Sequence, residues 1–271
     1  MQPKLGILAG GGRLPALLIE ACEKTSRPYA VIAFRGQVTP EAISMAEEIR
    51  WHRLGAGRAI LDDLKRMDVT EVTLAGAIRR PGLMALMPDF WTLRRLLSSG
   101  ALRKGDDGLL RFVAGLLENA GIKVVGTRDI APDLLTPNGV LTNTAPDEAS
   151  LHDIDVARGA ARELGRQDIG QAVVARDGAV IAREDRRGTD AMLSDIEHPS
   201  NSAGVLVKCL KPGQDRRMDL PTIGENTVRQ AKAAGLKGIA LDANSSMIVD
   251  REATVESANR AGLFIIGLND D

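Results

Sequence analysis

The sequence predicts an α/β protein of two domains: an N-terminal parallel-sheet, Rossmann-like domain and a C-terminal mixed α/β domain. Three observations predict it. Short apolar runs alternate with ten-residue amphipathic stretches through the first half, the pattern of a parallel sheet covered on both faces. Proline and glycine turn signals then crowd the stretch 132–146. Across that stretch the charge changes sign: residues 1–143 hold 19 Lys/Arg and 15 Asp/Glu, net +4, whereas residues 144–271 hold 16 and 21, net −5. The expected division is 1–131, a linker over 132–146, and 147–271.

The elements follow in order. Leu5–Ala9 is an apolar run followed by three glycines and an amphipathic stretch from Leu14 to Lys24, a strand–turn–helix unit. Tyr29–Phe34 is a second buried strand. Thr39-Pro40-Glu41 supplies an N-cap, a proline at the first helical position and an early acid, so a helix is expected to start there. Val72–Ala75 and Lys123–Val125 are the third and fourth strands, the latter after a helix over Gly108–Ala120. In the second half a helix is expected from Asp147 to Leu164. Gln171–Arg176 and Ala179–Arg183 flank Asp177-Gly178, a two-residue hairpin signal. Gly204–Lys208 is another strand, and Thr222-Ile223-Gly224-Glu225 reads as a capping box opening a helix to Ala234. Gly238–Leu241, Met247–Val249 and Leu263–Ile266 complete a mixed sheet.

Composition excludes several classes. Thirty-five basic residues balance 36 acidic ones, so the chain lacks the basic excess of a nucleic-acid-coating protein. Cys22 and Cys209 lie far apart in apolar settings and form no CxxC pair, which points to a reducing cytoplasm. The first ten residues hold one lysine and an apolar run too short for a signal peptide. No stretch approaches the ~18 uncharged apolar residues of a membrane span, so any membrane contact is expected at the surface. His52, His152 and His198 show no zinc-ligand spacing, and no G-x-S-x-G elbow is present.

Five segments can carry chemistry. The Gly10-Gly11-Gly12 turn lies between a strand and a helix, where backbone amides can hold a phosphate; the plainer reading is a tight turn. A dinucleotide fingerprint is disfavoured, because Pro15 stands where the third glycine belongs and Phe34-Arg35-Gly36 lacks the expected acid. The tract Arg79 to Lys104 mixes basic residues with Met84, Met87, Phe90, Trp91 and Leu97, suiting an anionic amphiphile or a bilayer surface, or else an ordinary amphipathic helix. Asp106 and Asp107, beside Lys104 and Arg111, either cap a helix or hold a cation. Thr189 reads as an N-cap that leaves Asp190 in a helical first turn. The densest cluster runs from Lys208 to Gly224, where Lys211, Gln214, Asp215, Arg216, Arg217 and Asp219 precede a helix start. Bases there suit a pyrophosphate and carboxylates a hard Mg²⁺ ion.

Taken together these segments resemble a known family. Gly6-Ile7-Leu8-Ala9-Gly10-Gly11-Gly12-Arg13-Leu14-Pro15, Ala75-Gly76-Ala77-Ile78-Arg79-Arg80-Pro81, Gly105-Asp106-Asp107, Gly188-Thr189-Asp190-Ala191-Met192-Leu193, the Lys211-to-Gly224 loop and Ala261-Gly262-Leu263-Phe264 occur in the order found in the LpxI-type UDP-2,3-diacylglucosamine pyrophosphatases of lipid A biosynthesis. Arg187, where an acid commonly precedes Gly-Thr-Asp, and Asn244, where glycine is usual, depart from the pattern.

The resemblance implies a Mg²⁺-dependent hydrolase whose interdomain cleft encloses the lipid and which cleaves a UDP-sugar to UMP and lipid X, 2,3-diacylglucosamine 1-phosphate, by attack of water on phosphorus. Asp219 is then the leading catalytic and metal-binding candidate and Asp190 the second. Gly10, Gly11, Gly12, Asp106, Asp107, Arg111, Thr189, Lys208, Lys211, Gln214 and Arg217 are candidate substrate contacts on the polar side, with Phe90 and Trp91 for the acyl chains. The expected partners are a lipid-linked nucleotide sugar, the surface of the inner membrane and a second copy of the chain; nucleic acid is not expected. A non-catalytic lipid or nucleotide-sugar carrier is the alternative.

Overall fold

The computed structural model describes residues 2–78, 89–99, 105–197 and 203–269. The chain divides into two compact units, Met1–Pro132 with Asp215–Asp219, and Asp133–Gln214 with Leu220–Asp271. Five residues from the C-terminal half therefore fold as part of the first unit.

The first unit is built on strands β1 (Leu5–Ala9), β2 (Tyr29–Phe34), β3 (Ile49–His52), β4 (Glu71–Ala75) and β5 (Lys123–Val124), in the order β3-β2-β1-β4-β5. Every pairing is parallel. All five residues of β1 are buried, as expected of a strand covered on both faces. The helices are α1 (Leu14–Lys24), α2 (Gly57–Arg66), α3 (Phe90–Ser99), α4 (Gly105–Asn119) and α5 (Thr127–Ile130). Strand β3 and helix α2 were not expected from the sequence. Thr39 makes no side-chain cap, and Pro40–Ile43 closes as one 3₁₀ turn instead of a helix. Helix α4 already includes Gly105, so Asp106 and Asp107 lie within it rather than ahead of it.

The second unit carries β6 (Gly139–Val140), α6 (Glu148–Arg166), β7 (Ala172–Arg176), β8 (Ala179–Arg183), α7 (Thr189–Ser194), β9 (Val205–Lys208), β10 (Thr222–Ile223), α8 (Glu225–Ala233), β11 (Gly238–Asp242), β12 (Met247–Ile248), α9 (Arg251–Ala261) and β13 (Phe264–Leu268). Six strands make a mixed sheet in the order β6-β13-β11-β9-β7-β8, and β10 pairs with β12 apart from it. Asp177 (φ 53°) and Gly178 (φ 74°) are both left-handed, the conformation a two-residue hairpin of the expected kind demands. Asp147 caps α6 by accepting from Ser150 N at 2.8 Å. The capping box at Thr222 does not form: Thr222 lies in β10, its hydroxyl donates to Leu220 O, and Gly224 is the N-cap of α8. From Asp133 onward the stretch read as a linker is part of this unit. Leu135 bridges Met247, Thr136 N donates to Ser246 O, and β6 pairs antiparallel with β13.

Candidate functional site

In the first sheet the chain leaves β1 toward β2 and β3 and returns on β1's other side at β4, which makes the carboxyl ends of β1 and β4 a topological switch point. Open parallel sheets bind ligands in the crevice outside such ends. The triglycine turn sits there. Gly10 N donates to Ala75 O and Gly11 N to Ala77 O, each at 2.7 Å, and Ala77 N returns a bond to Gly11 O at 3.0 Å. These two amides extend the sheet, so a phosphate at this turn would meet amides beyond Gly11.

Residues 215–219 belong to this same unit. Met218 is 8% exposed and joins the buried cluster that holds Ala114, Leu117, Ile122 and Val124. Arg217 donates through Nη1 to Glu118 Oε1 (2.8 Å) and Val124 O (3.4 Å), and through Nη2 to Asp215 Oδ2 (2.7 Å). The Arg217 hydrogen bonds hold the Asp215 carboxyl below its ordinary range, helped by the positive charge of Arg111 on α4. Arg217 is thus held on protein acceptors. Asp219 follows directly, and it is exposed.

In the second unit Lys208 is buried at the end of β9 and donates through Nζ to Thr222 O at 3.0 Å, tying β9 to β10. Lys211 pairs with Asp168 at 2.8 Å, and its backbone amide is accepted by Gln214 Oε1 at 3.2 Å. Thr189 is the first residue of α7, not its cap; Gly188 takes that place at φ 89°. The Thr189 hydroxyl donates to Glu184 Oε1 (2.7 Å), and the buried Glu184 also accepts from Gln171 N and Ala172 N. Sequence reasoning missed Glu184, and its only signal was an acid ending a strand. Asp190 lies in the first turn as expected; it is exposed and accepts from Asn226 Nδ2 at 3.3 Å.

Asp219 and Asp190 fall in different units. Phe90 is 82% exposed, whereas Trp91 is half-buried with the Arg95 guanidinium 4.7 Å over its ring. The side chains of Asp106 and Asp107, together with Arg79–Pro88, Lys104 and His198, lie outside the described residues. Cys22 and Cys209 are buried, which pushes their thiols up to about 11 and about 12, so neither supplies a thiolate nucleophile at neutral pH.

Among the described residues no three or more His, Cys, Asp or Glu side chains are gathered as a metal cage. Mg²⁺ needs none, since it is commonly held by one or two carboxylates plus substrate phosphates. Asp219 and Asp190 are each exposed and carry the oxygen donors this ion prefers.

Residues 4–134 match the model of the LpxI N-terminal domain and residues 137–266 that of the LpxI C-terminal domain. The chain belongs to the LpxI family. UDP-2,3-diacylglucosamine pyrophosphatase LpxI of Caulobacter vibrioides is 39% identical over 277 residues, covering 98% of each chain. The two LpxI domain matches meet between residues 134 and 137, close to the change of unit after Pro132. Solved structures are more distant. The biotin carboxylase subunit of pyruvate carboxylase is 13% identical with a TM-score of 0.26, covering 64% of this chain and 35% of its own. Phosphoribosylglycinamide synthetase from Anaerococcus prevotii is 11% identical with a TM-score of 0.26, covering 73% and 35%. This LpxI chain thus spans about a third of the length of either.

Proposed function

We propose that this chain hydrolyses the pyrophosphate bond of UDP-2,3-diacylglucosamine to UMP and 2,3-diacylglucosamine 1-phosphate, with Mg²⁺ as cofactor. The observation that carries the reading is the 39% identity over 98% of both chains to a protein named for that activity. The chemistry of the residues supports it. A diphosphate is already anionic, and hydrolysis concentrates further charge on the leaving phosphate. Bound Mg²⁺ would neutralise part of that charge on the phosphate oxygens. Asp219, exposed beside the buried Met218, is assigned to orient water and accept its proton. Asp190, in the first turn of α7, is assigned as the second carboxylate.

The acyl chains give a reason to work at the cytoplasmic surface of the inner membrane. Each buried CH₂ is worth about 0.8 kcal/mol, too much to leave in water along two fatty chains. Helix α3 offers Phe90, Leu93 and Leu97 as exposed apolar residues at helical spacing, with Arg94 on the same side. No helix among the described residues is long and apolar enough to cross a membrane.

The test is incubation with UDP-2,3-diacylglucosamine and Mg²⁺, with and without chelator, while UMP is measured. UMP is expected only without chelator. Asp219→Ala is expected to lower turnover by about 10²–10³-fold or more with an unchanged far-ultraviolet spectrum. Stoichiometric binding of the substrate without UMP would select the carrier reading instead, and near-normal turnover by the variant would remove Asp219 from the mechanism.

A further inference from the structure

We infer that Met218 and Arg217 are positioning residues for Asp219, locking the catalytic loop onto the exit of β5; the inference rests on the hydrolase reading above. The loop leaves the second unit after Gln214 and rejoins it at Leu220, and its five intervening residues are counted with the first unit. Three separate features hold it. Met218 is a thioether anchor, 8% exposed within the first unit's core. Arg217 lies along the outer edge of β5, reaching Val124 O and Glu118 on α4, while Asp215 grips the other side of its guanidinium.

The third feature is Gly126, two residues past β5. A Cβ there would stand 3.0 Å from Arg217 Cα, so the backbones approach closely and a side chain would push the loop away. Met218 carries no charge and is buried; Arg217 is engaged on protein oxygens. Their common effect is on the residue that follows them. A carboxylate on a five-residue excursion without such anchors would sample many placements; here the backbone up to residue 218 is fixed, and misplacement of a catalytic group by about 1 Å can cost 10²-fold in rate.

The test compares wild type with Met218→Ala, Met218→Leu and Glu118→Gln, assayed well below each variant's melting midpoint. Two readouts are taken. Limited trypsin digestion, followed by mass spectrometry, reports cleavage after Arg216 and Arg217 without reference to activity. Steady-state kinetics separates kcat from KM. Met218→Ala is expected to speed cleavage at these sites and to lower kcat on the order of tenfold to hundredfold with KM within twofold. Glu118→Gln should move both readouts in the same direction by less, and Met218→Leu, which keeps the volume, should restore both.

Cleavage no faster than wild type would overturn the anchor. Faster cleavage with unchanged kcat, or a rise in KM alone, would overturn the positioning role. A wild-type protein that releases no UMP would overturn the hydrolase reading, with the catalytic half of this inference, while the digestion still decides the anchor.

Discussion

Gly76 couples the two turns at the switch point. Its φ is 88°, and a Cβ would collide with Gly11 O, so only glycine lets the exit of β4 lie against the triglycine turn. Gly76→Ala is expected to cost about 3 kcal/mol or more, from left-handed strain plus displacement of a backbone carbonyl. Urea unfolding measures it, and a midpoint equal to wild type would show that the two turns are not coupled as described. The glycines were legible as a turn, because three in a row after a buried strand leave few alternatives. What was not legible is which amides remain for a ligand, since the partner carbonyls Ala75 and Ala77 lie more than sixty residues on and are set by sheet order. Arg217 teaches the same lesson: its charge is legible in the sequence, but its pairing with Asp215 two residues away and Glu118 about a hundred residues away is not.

Helix α3 separates residues that looked alike in sequence. Thr92 and Leu96 face the core, and Phe90, Leu93 and Leu97 do not. Trp91 lies between, packed on the core and stacked by Arg95. Phe90→Ser is therefore expected to leave the thermal midpoint close to wild type while weakening sedimentation with anionic phospholipid vesicles and raising KM for the diacylated substrate. Trp91→Ser should lower stability as well, by about 1–3 kcal/mol for a half-buried ring. If Phe90→Ser changes neither vesicle binding nor KM, the exposed face has no part in handling lipid. Elements with a strong local pattern were read correctly to within a residue or two: β1, β2, β4 and the β7–β8 hairpin, each apolar or bounded by turn residues. Strand β3 was missed because Ile49-Arg50-Trp51-His52 is an edge strand with only half-buried or exposed positions, which leaves no hydrophobic run to see. The capping box at Thr222 failed for a tertiary reason, since pairing of β10 with β12 holds that residue in a strand.

At the scale of the molecule, chain order and structural unit disagree at one place. The family's N-terminal domain match ends at residue 134, yet the first unit's core also contains Met218. No sequence pattern shows this, because a five-residue excursion has no periodicity of its own and its partners are known only once the sheet is assembled. It has a consequence for any fragment. A protein of residues 1–134 keeps all five strands but loses Met218 from the core and Arg217 from the open edge of β5, and an uncovered edge invites pairing with other chains. Removing a buried Met side chain costs about 2–5 kcal/mol where the site does not collapse. The fragment is therefore expected to unfold at lower urea than the same fragment carrying residues 214–220 on a flexible linker from its C-terminus, and to bind a hydrophobic dye more strongly. With Met218 replaced by Asp in that linked form the gain should vanish, which distinguishes seating of the loop from a general effect of a longer tail. Equal urea midpoints for the plain and the linked fragment would mean that the first unit is complete without the loop.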